Sequence, residues 1–180
     1  VRAAFLDHKV PSLAFAMKEK TQINIMKNAL EEMGLAPGNW LVELKDDIRE
    51  GKGDDHPVKA RMKDGSNRTI PRGELKKLVR MTPGQKVSYI SDAVYNTDNA
   101  RKIIALAEGS DILFIEAPFL EDDADIAAAK YHLTAGQAGR LAREAGVKDM
   151  RIFHLSPKYK GRERLLMDEA RETFTGSSLP

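Results

Sequence analysis

Ionisable side chains follow three predicted strands, at the point where each strand ends. Asp92, Glu116 and His154 each come after a short apolar run, and His132 stands just before a predicted helix. In open α/β sheets, functional residues gather beyond the carboxyl ends of the strands, where loops converge on a crevice. These four residues are therefore the candidates for chemistry.

Each candidate also has a purely structural explanation. Asp92 could form a turn or cap a helix, Glu116 could be a solvated strand end, and either histidine could be structural. The combination is more informative, because carboxylate and imidazole at neighbouring strand ends are ligands that zinc binds. Two ligands do not hold a catalytic zinc ion, however, since such sites take at least three protein donors.

The metal hypothesis depends on one spatial prediction. The tips of the strands that end at Ser91 and Phe153 should lie side by side and aim Asp92 and His154 into one cleft.

The second half of the chain alternates between predicted strands and helices. Strands are predicted at Lys86–Ile90, Asp111–Ile115 and Met150–Phe153, and helices at Asn96–Ala107, Thr134–Ala145 and Arg162–Phe174. This alternation predicts an α/β fold, with a mixed sheet and helices packed on it.

The first half is less regular. Ala3–Leu6 and Leu13–Met17 suit two consecutive strands, Ile23–Met33 has helical spacing, and Trp40–Leu44 is predicted as a short strand. Turn-rich sequence then predicts a surface excursion over about residues 45–77. Within it, Val58–Met62 could form a hairpin arm, and a short helix should begin near Pro71.

Composition indicates one globular domain over residues 1–180. Hydrophobic residues make up 42% and charged residues 31%, cysteine is absent, and the net charge is only +2. A dedicated nucleic-acid binder usually has a stronger, clustered basic excess, so the charge alone does not indicate RNA binding. No apolar run approaches the ~20 residues of a membrane span. We expect a cytoplasmic protein with no membrane partner. The initial Val1, without Met, favours a processed or truncated piece.

Several segments, in order along the chain, resemble the second half of ribonuclease Z and its metallo-β-lactamase relatives. They are His8–Phe15, Lys86–Asp92, Asn99–Gly109, Asp111–Phe119, Tyr131–Ala135 and Arg151–Tyr159. The resemblance implies half of a metallo-β-lactamase αββα sandwich, the C-terminal half of a hydrolase of phosphodiester or related ester bonds. Processing of tRNA 3′ ends is the implied example, with RNA or tRNA as partner.

The resemblance also implies roles for the four candidates. Asp92 would bridge two zinc ions in the full-length protein, and His154 would bind one of them, with manganese or iron as alternative metals. His132 would stabilise or protonate the scissile phosphate, and Glu116 would orient His132.

Departures from the family pattern limit this transfer. Ile115, Pro118 and Leu133 replace typical family residues, and the His-x-His-x-Asp-His motif is absent, since only His8 and His56 remain and neither has its spacing. The isolated chain should therefore be inactive and need a missing N-terminal half or a second subunit, with a homodimer expected for the full-length form. The alternative is a non-catalytic binding or assembly module.

Basic residues of the excursion are candidates for contacts with RNA phosphates. They are Lys52, Lys59, Arg61, Lys63, Arg68 and Arg72. Acidic residues interrupt them throughout, which favours a solvated loop over an RNA-binding surface.

Overall fold

The computed structural model describes residues 1–176, so residues 177–180 of the predicted domain lie outside the described residues. The strands are β1 Arg2–His8, β2 Val10–Lys18, β3 Gln22–Ile25, β4 Pro57–Arg61, β5 Asn67–Pro71, β6 Val79–Thr82, β7 Lys86–Ile90, β8 Ile112–Glu116 and β9 Asp149–Phe153. The α-helices are α1 Lys27–Glu32, α2 Trp40–Arg49, α3 Thr97–Ala107, α4 Ala124–Ala129, α5 Ala135–Glu144 and α6 Glu163–Thr175. No helix within residues 1–176 has the length and apolar character needed to cross a membrane.

The chain divides into two compact units. The first contains residues 1–19 and the chain from Gln85 onward, and the second contains residues 20–84. The predicted excursion over residues 45–77 falls inside the second unit.

A five-stranded mixed sheet forms the centre of the first unit, with strand order β1-β2-β7-β8-β9. The last three strands are parallel, and β1 and β2 are antiparallel to their neighbours. The predicted mixed sheet with packed helices is therefore confirmed. Because parallel strands point the same way, their carboxyl ends meet at one edge of the sheet. The expectation that the strands ending at Ser91 and Phe153 are neighbours is wrong, since β8 lies between them.

One face of this sheet is buried beneath helices and the other is open. Alternate strand residues such as Leu6, Ala14, Ile90 and Leu113 are buried in a core with α3 and α5. Period-two alternation sends the intervening side chains to the opposite face, where large apolar residues are exposed. These are Phe5, Leu13, Phe15, Met17, Tyr89 and Phe114.

Local sequence explains the helices that frame the sheet edge. At the start of α5, the Thr134 side chain accepts the backbone N–H of Gln137 while the Gln137 side chain accepts that of Thr134, a capping box. At the start of α3, the Asn96 side chain accepts the N–H of Asn99. These caps fix where the chain enters α3 after β7 and where it enters α5 after α4.

The second unit has its own core around Leu44, Leu75 and Leu78. Antiparallel β4 and β5 confirm the hairpin predicted from Val58–Met62, and a 3₁₀ helix over Arg72–Leu78 matches the predicted short helix.

Two predictions in this unit are wrong. Trp40–Leu44 is the start of α2, because Trp40 and Leu44 are one helical turn apart and both face the core. The segment predicted as one helix over Ile23–Met33 begins instead as β3, which pairs with β6 before α1 starts. Tertiary pairing outweighed helical spacing in that short apolar run.

Candidate metal centre

The structure brings all four candidate residues together at the carboxyl edge of the sheet. Asp92, Glu116, His132 and His154 each offer one ligand atom, and these atoms all lie within 4.8 Å of one another. Nδ1 of His154 is 3.7 Å from Oδ1 of Asp92, and Nδ1 of His132 is 4.0 Å from the same oxygen. Asp92 and His154 thus share a cleft although their strands are not adjacent.

Sharp backbone turns aim these side chains into the cleft. Asp92 has φ 54°, His154 has φ 61°, and Tyr131, which precedes His132, has φ 61°. Left-handed backbone conformations are uncommon for such residues, cost about 1–3 kcal/mol each, and cluster at functional sites. Three of them around one cleft indicate that the side-chain directions are maintained at some expense in stability.

Glu116 is the buried hub of the cluster. Its carboxylate is fully buried and accepts the backbone N–H groups of Ala93 and Leu133 at 3.0 and 3.3 Å. Its Oε2 lies 3.0 Å from Nδ1 of His132 and 3.1 Å from Nδ1 of His154. Glu116 is therefore no solvated strand end.

This carboxylate also sets the chemistry of both imidazoles. An ionised carboxylate only accepts hydrogen bonds, so Nδ1 of His132 and of His154 carries the hydrogen. Nε2 of each ring is then the nitrogen left free to bind a metal or a substrate atom. A buried carboxylate that orients histidine in this way is typical of metal sites.

Sequence reasoning missed His8 as a member of the cluster. Nδ1 of His8 lies 2.6 Å from the carbonyl oxygen of Tyr131, Nε2 lies 4.0 Å from Oδ1 of Asp92, and the ring centroid is 4.7 Å from that of His132. His8 lacks the spacing of a His-x-His-x-Asp-His motif, so that motif did not mark it as a ligand. Its position at the end of β1 was the available signal, since Asp92, Glu116 and His154 also stand at strand ends.

His56, the fourth histidine of the chain, belongs to the second unit. Its Nε2 lies 3.4 Å from Oδ2 of Asp47, whose Oδ1 binds Lys52.

The donor set fits a borderline divalent cation. Around Asp92 it combines imidazole nitrogens with carboxylate oxygens and contains no thiolate, which suits zinc and also manganese or iron. Asp92 and His154 are each nearly half exposed, whereas the Glu116 side chain is inaccessible. The accessible groups can therefore meet an ion or a substrate while the buried carboxylate holds the rings in place.

Curated relatives of this chain are ribonucleases Z. That of Bacteroides fragilis is 32% identical over 178 residues, which cover 97% of this chain and 51% of that protein. The enzyme of Thermobifida fusca is 30% identical over 98% of this chain and 49% of its own length. The chain thus spans about half the length of the curated relatives it matches, and the resemblance is confirmed along nearly all of it. No family model matches the chain.

Similar solved structures include two proteins of low sequence identity. The metallo-β-lactamase fold protein YhfI from Bacillus subtilis has a TM-score of 0.45 and 23% identity, and the alignment covers 69% of this chain and 49% of that one. Human tRNase Z, short form, has a TM-score of 0.45 and 16% identity, with 88% and 37% covered.

Proposed function

Because the chain matches about half of ribonuclease Z, we propose that it forms one half of a metal-dependent phosphodiester hydrolase that acts on RNA. The observation that carries this proposal is the convergence of Asp92, Glu116, His132 and His154 within 4.8 Å at one sheet edge. The parent protein is the whole polypeptide encoded by the reading frame that contains this chain.

Asp92, His154 and His8 are the residues that would hold the metal. Oδ1 of Asp92 lies 4.0 Å from Nε2 of His8, and it lies 4.0 and 3.7 Å from the Nδ1 atoms of His132 and His154, which bond Glu116. A carboxylate beside three imidazole rings suits a ligand shared by two cations. Two zinc ions per parent protein are proposed, with the remaining ligands supplied outside this chain. When bound, such ions activate water and neutralise the charge of a phosphodiester.

His132 acts on the substrate in this proposal. Its Nδ1 is bound to the buried Glu116 carboxylate, which stabilises the ring when it is cationic. The opposite nitrogen, Nε2, can then donate a hydrogen bond to a phosphoryl oxygen or a proton to the leaving oxygen. Glu116 is a positioning residue, because it contacts both rings and is closed off from substrate by burial.

The open sheet face supports the proposal that another part of the parent protein packs against this chain. Phe15 on β2, Tyr89 on β7 and Phe114 on β8 lie in register across three strands and are all substantially exposed. Exposed apolar surface of this kind marks a site where another protein surface packs, and in sandwiches two sheets pack face to face. We propose that the rest of the parent protein covers this face with a second sheet.

RNA contacts are proposed for the hairpin of the second unit. Lys59 and Arg61 lie on the exposed side of β4, and neither takes part in an ion pair within residues 1–176. Arg72 is less available, because it binds Asp54. That the parent protein is a homodimer stays a prediction from the resemblance. That it is cytoplasmic stays a prediction from the absence of cysteine.

The test is hydrolysis and metal content in the parent protein. We expect about two zinc ions per chain and cleavage of a precursor tRNA at its 3′ side. Asp92→Ala should lose both, whereas Asp98→Ala, an exposed acid paired with Arg101 and Lys102 on α3, should keep both. Full metal content and turnover in Asp92→Ala would contradict the assignment. The 180-residue chain alone should bind zinc more weakly than about 1 μM and leave RNA intact.

A second candidate function, a non-catalytic assembly module, is also favoured by the open sheet face. In that case the 180-residue chain should form dimers through this face, and Phe15→Glu should convert them to monomers without loss of fold. Gel filtration with light scattering measures this. Well-folded monomers at all concentrations would contradict the module.

A further inference from the structure

Asn99 is a buried polar residue whose side chain binds only main-chain groups. It lies in the first turn of α3 and is 1% exposed. Its Oδ1 accepts the N–H of Asp7 at 2.9 Å, and its Nδ2 donates to the carbonyl oxygens of Asp7 at 2.9 Å and Val94 at 2.8 Å. Both hydrogens of the amide and its oxygen are thereby used.

These bonds join two chain segments that carry members of the metal centre. Asp7 immediately precedes His8 in β1, and Val94 is two residues beyond Asp92. The N–H of Val94 also donates to the carbonyl oxygen of Asp7, at 3.0 Å. The segment that bears His8 and the loop that bears Asp92 therefore meet at the side chain of Asn99.

Asn99 takes the place of a strand neighbour for Asp7. The N–H and the C=O of Asp7 both bond to Asn99, so they point away from Pro11, the residue opposite Asp7 in β2. β1 is the edge strand of the sheet, and β2 is its single strand neighbour within the described residues. The Asn99 amide offers Asp7 one donor and one acceptor, as a neighbouring strand would.

We propose that Asn99 is a positioning residue of the metal centre, which sets the distance between His8 and Asp92. This inference rests on the proposed function. Ser12 assists from the other strand of the hairpin, since its hydroxyl donates to the carbonyl oxygen of Asp92 at 2.6 Å. An aspartate at position 99 would lose both donors and place a charge against two carbonyl oxygens.

Cobalt(II) binding to the parent protein, followed by visible absorption, tests the effect on the metal. Ser110→Ala is the control, because Ser110 is equally buried, bonds Ser88 Oγ at 2.8 Å and lies before β8, at the opposite end of that strand from Glu116. Asn99→Ala should weaken cobalt binding about 10–100-fold, the usual effect of losing a group that orients metal ligands, and change the absorption spectrum. An affinity within about threefold of Ser110→Ala would overturn the proposal.

A metal-free measurement separates this inference from the proposed function. The rings of His8 and His132, 4.7 Å apart, should give nuclear Overhauser contacts in wild type and Ser110→Ala, and lose them in Asn99→Ala. If wild type binds no cobalt, the proposed function fails, and persistence of the ring contact in Asn99→Ala then overturns the role of Asn99. Asn99→Asp, which keeps the side-chain volume, is measured in the same way if Asn99→Ala does not fold.

Discussion

Replacing Glu116 with glutamine tests how the buried carboxylate controls the cluster. The substitution keeps the size of the side chain and leaves one oxygen for the N–H groups of Ala93 and Leu133, which both bind Oε1. It places an NH₂ group where Oε2 now meets Nδ1 of His132 and of His154. The NH₂ group and an Nδ1–H group are both donors and cannot bond each other. Both rings must therefore carry their hydrogen on Nε2 instead.

The cost follows from the bonds exchanged. Two hydrogen bonds to a charged group, worth about 1.5–3 kcal/mol each, become two neutral ones worth about 0.5–1.5 kcal/mol each. Removing a buried charge returns part of this difference, so Glu116→Gln should lower the free energy of unfolding by about 1–3 kcal/mol. Metal affinity should fall further, by about 10–100-fold, because Nε2 no longer offers a lone pair.

Three measurements on the parent protein check this reasoning. Urea unfolding gives the stability, cobalt(II) titration gives the affinity, and long-range ¹H–¹⁵N spectra report which ring nitrogen carries the hydrogen. Asp47→Asn is the matched control, since Asp47 is also a buried carboxylate beside a histidine, His56. It should lower stability without affecting cobalt binding.

Control of the rings by Glu116 is refuted if His132 and His154 keep hydrogen on Nδ1 in Glu116→Gln and cobalt affinity stays within about twofold of wild type. A similar loss of cobalt affinity in Asp47→Asn would refute it as well, because general destabilisation would then explain the result.

Two further predictions concern stability. Gly139→Ala should lower the free energy of unfolding by about 1–3 kcal/mol, because the added Cβ would lie 2.4 Å from the carbonyl oxygen of Ala170. The control Gly53→Ala has open space around it and should leave the free energy of unfolding nearly unchanged in the same urea titration. Equal effects of the two substitutions would contradict the close approach of α5 and α6. Burial raises the pKa of Glu169 above its usual value, so the folded state favours the protonated form and the wild type loses stability as pH rises through this range. Glu169→Gln should therefore gain stability relative to wild type as pH rises above the ordinary range of a glutamate carboxyl. The exposed Glu144→Gln should show no such gain, and parallel pH profiles for all three proteins would contradict this expectation.

Residues at the ends of well-patterned strands were predictable. The runs before Asp92, Glu116 and His154 are short and contain β-branched or aromatic residues, and a helix follows each of them along the chain. Such segments predict parallel strands, and parallel strands bring their carboxyl ends to one edge. The position of Glu116 between the two outer groups follows from strand order, which the local sequence does not encode.

Other features depend on contacts that are distant in sequence. His8 joins the cluster through a hairpin whose tip is held by Asn99, 92 residues from Asp7. The β3 segment is a strand because β6, far along the chain, pairs with it. Helical spacing in a short apolar run cannot reveal such a partner.

The central claim is that Asp92 and His154 bind a common metal centre. Crystals of the parent protein grown with zinc, measured on both sides of the zinc absorption edge, test it directly. Anomalous peaks are expected about 2.0–2.2 Å from a carboxylate oxygen of Asp92 and a ring nitrogen of His154. Zinc coordinated elsewhere, with Asp92 and His154 free of it, would contradict the account.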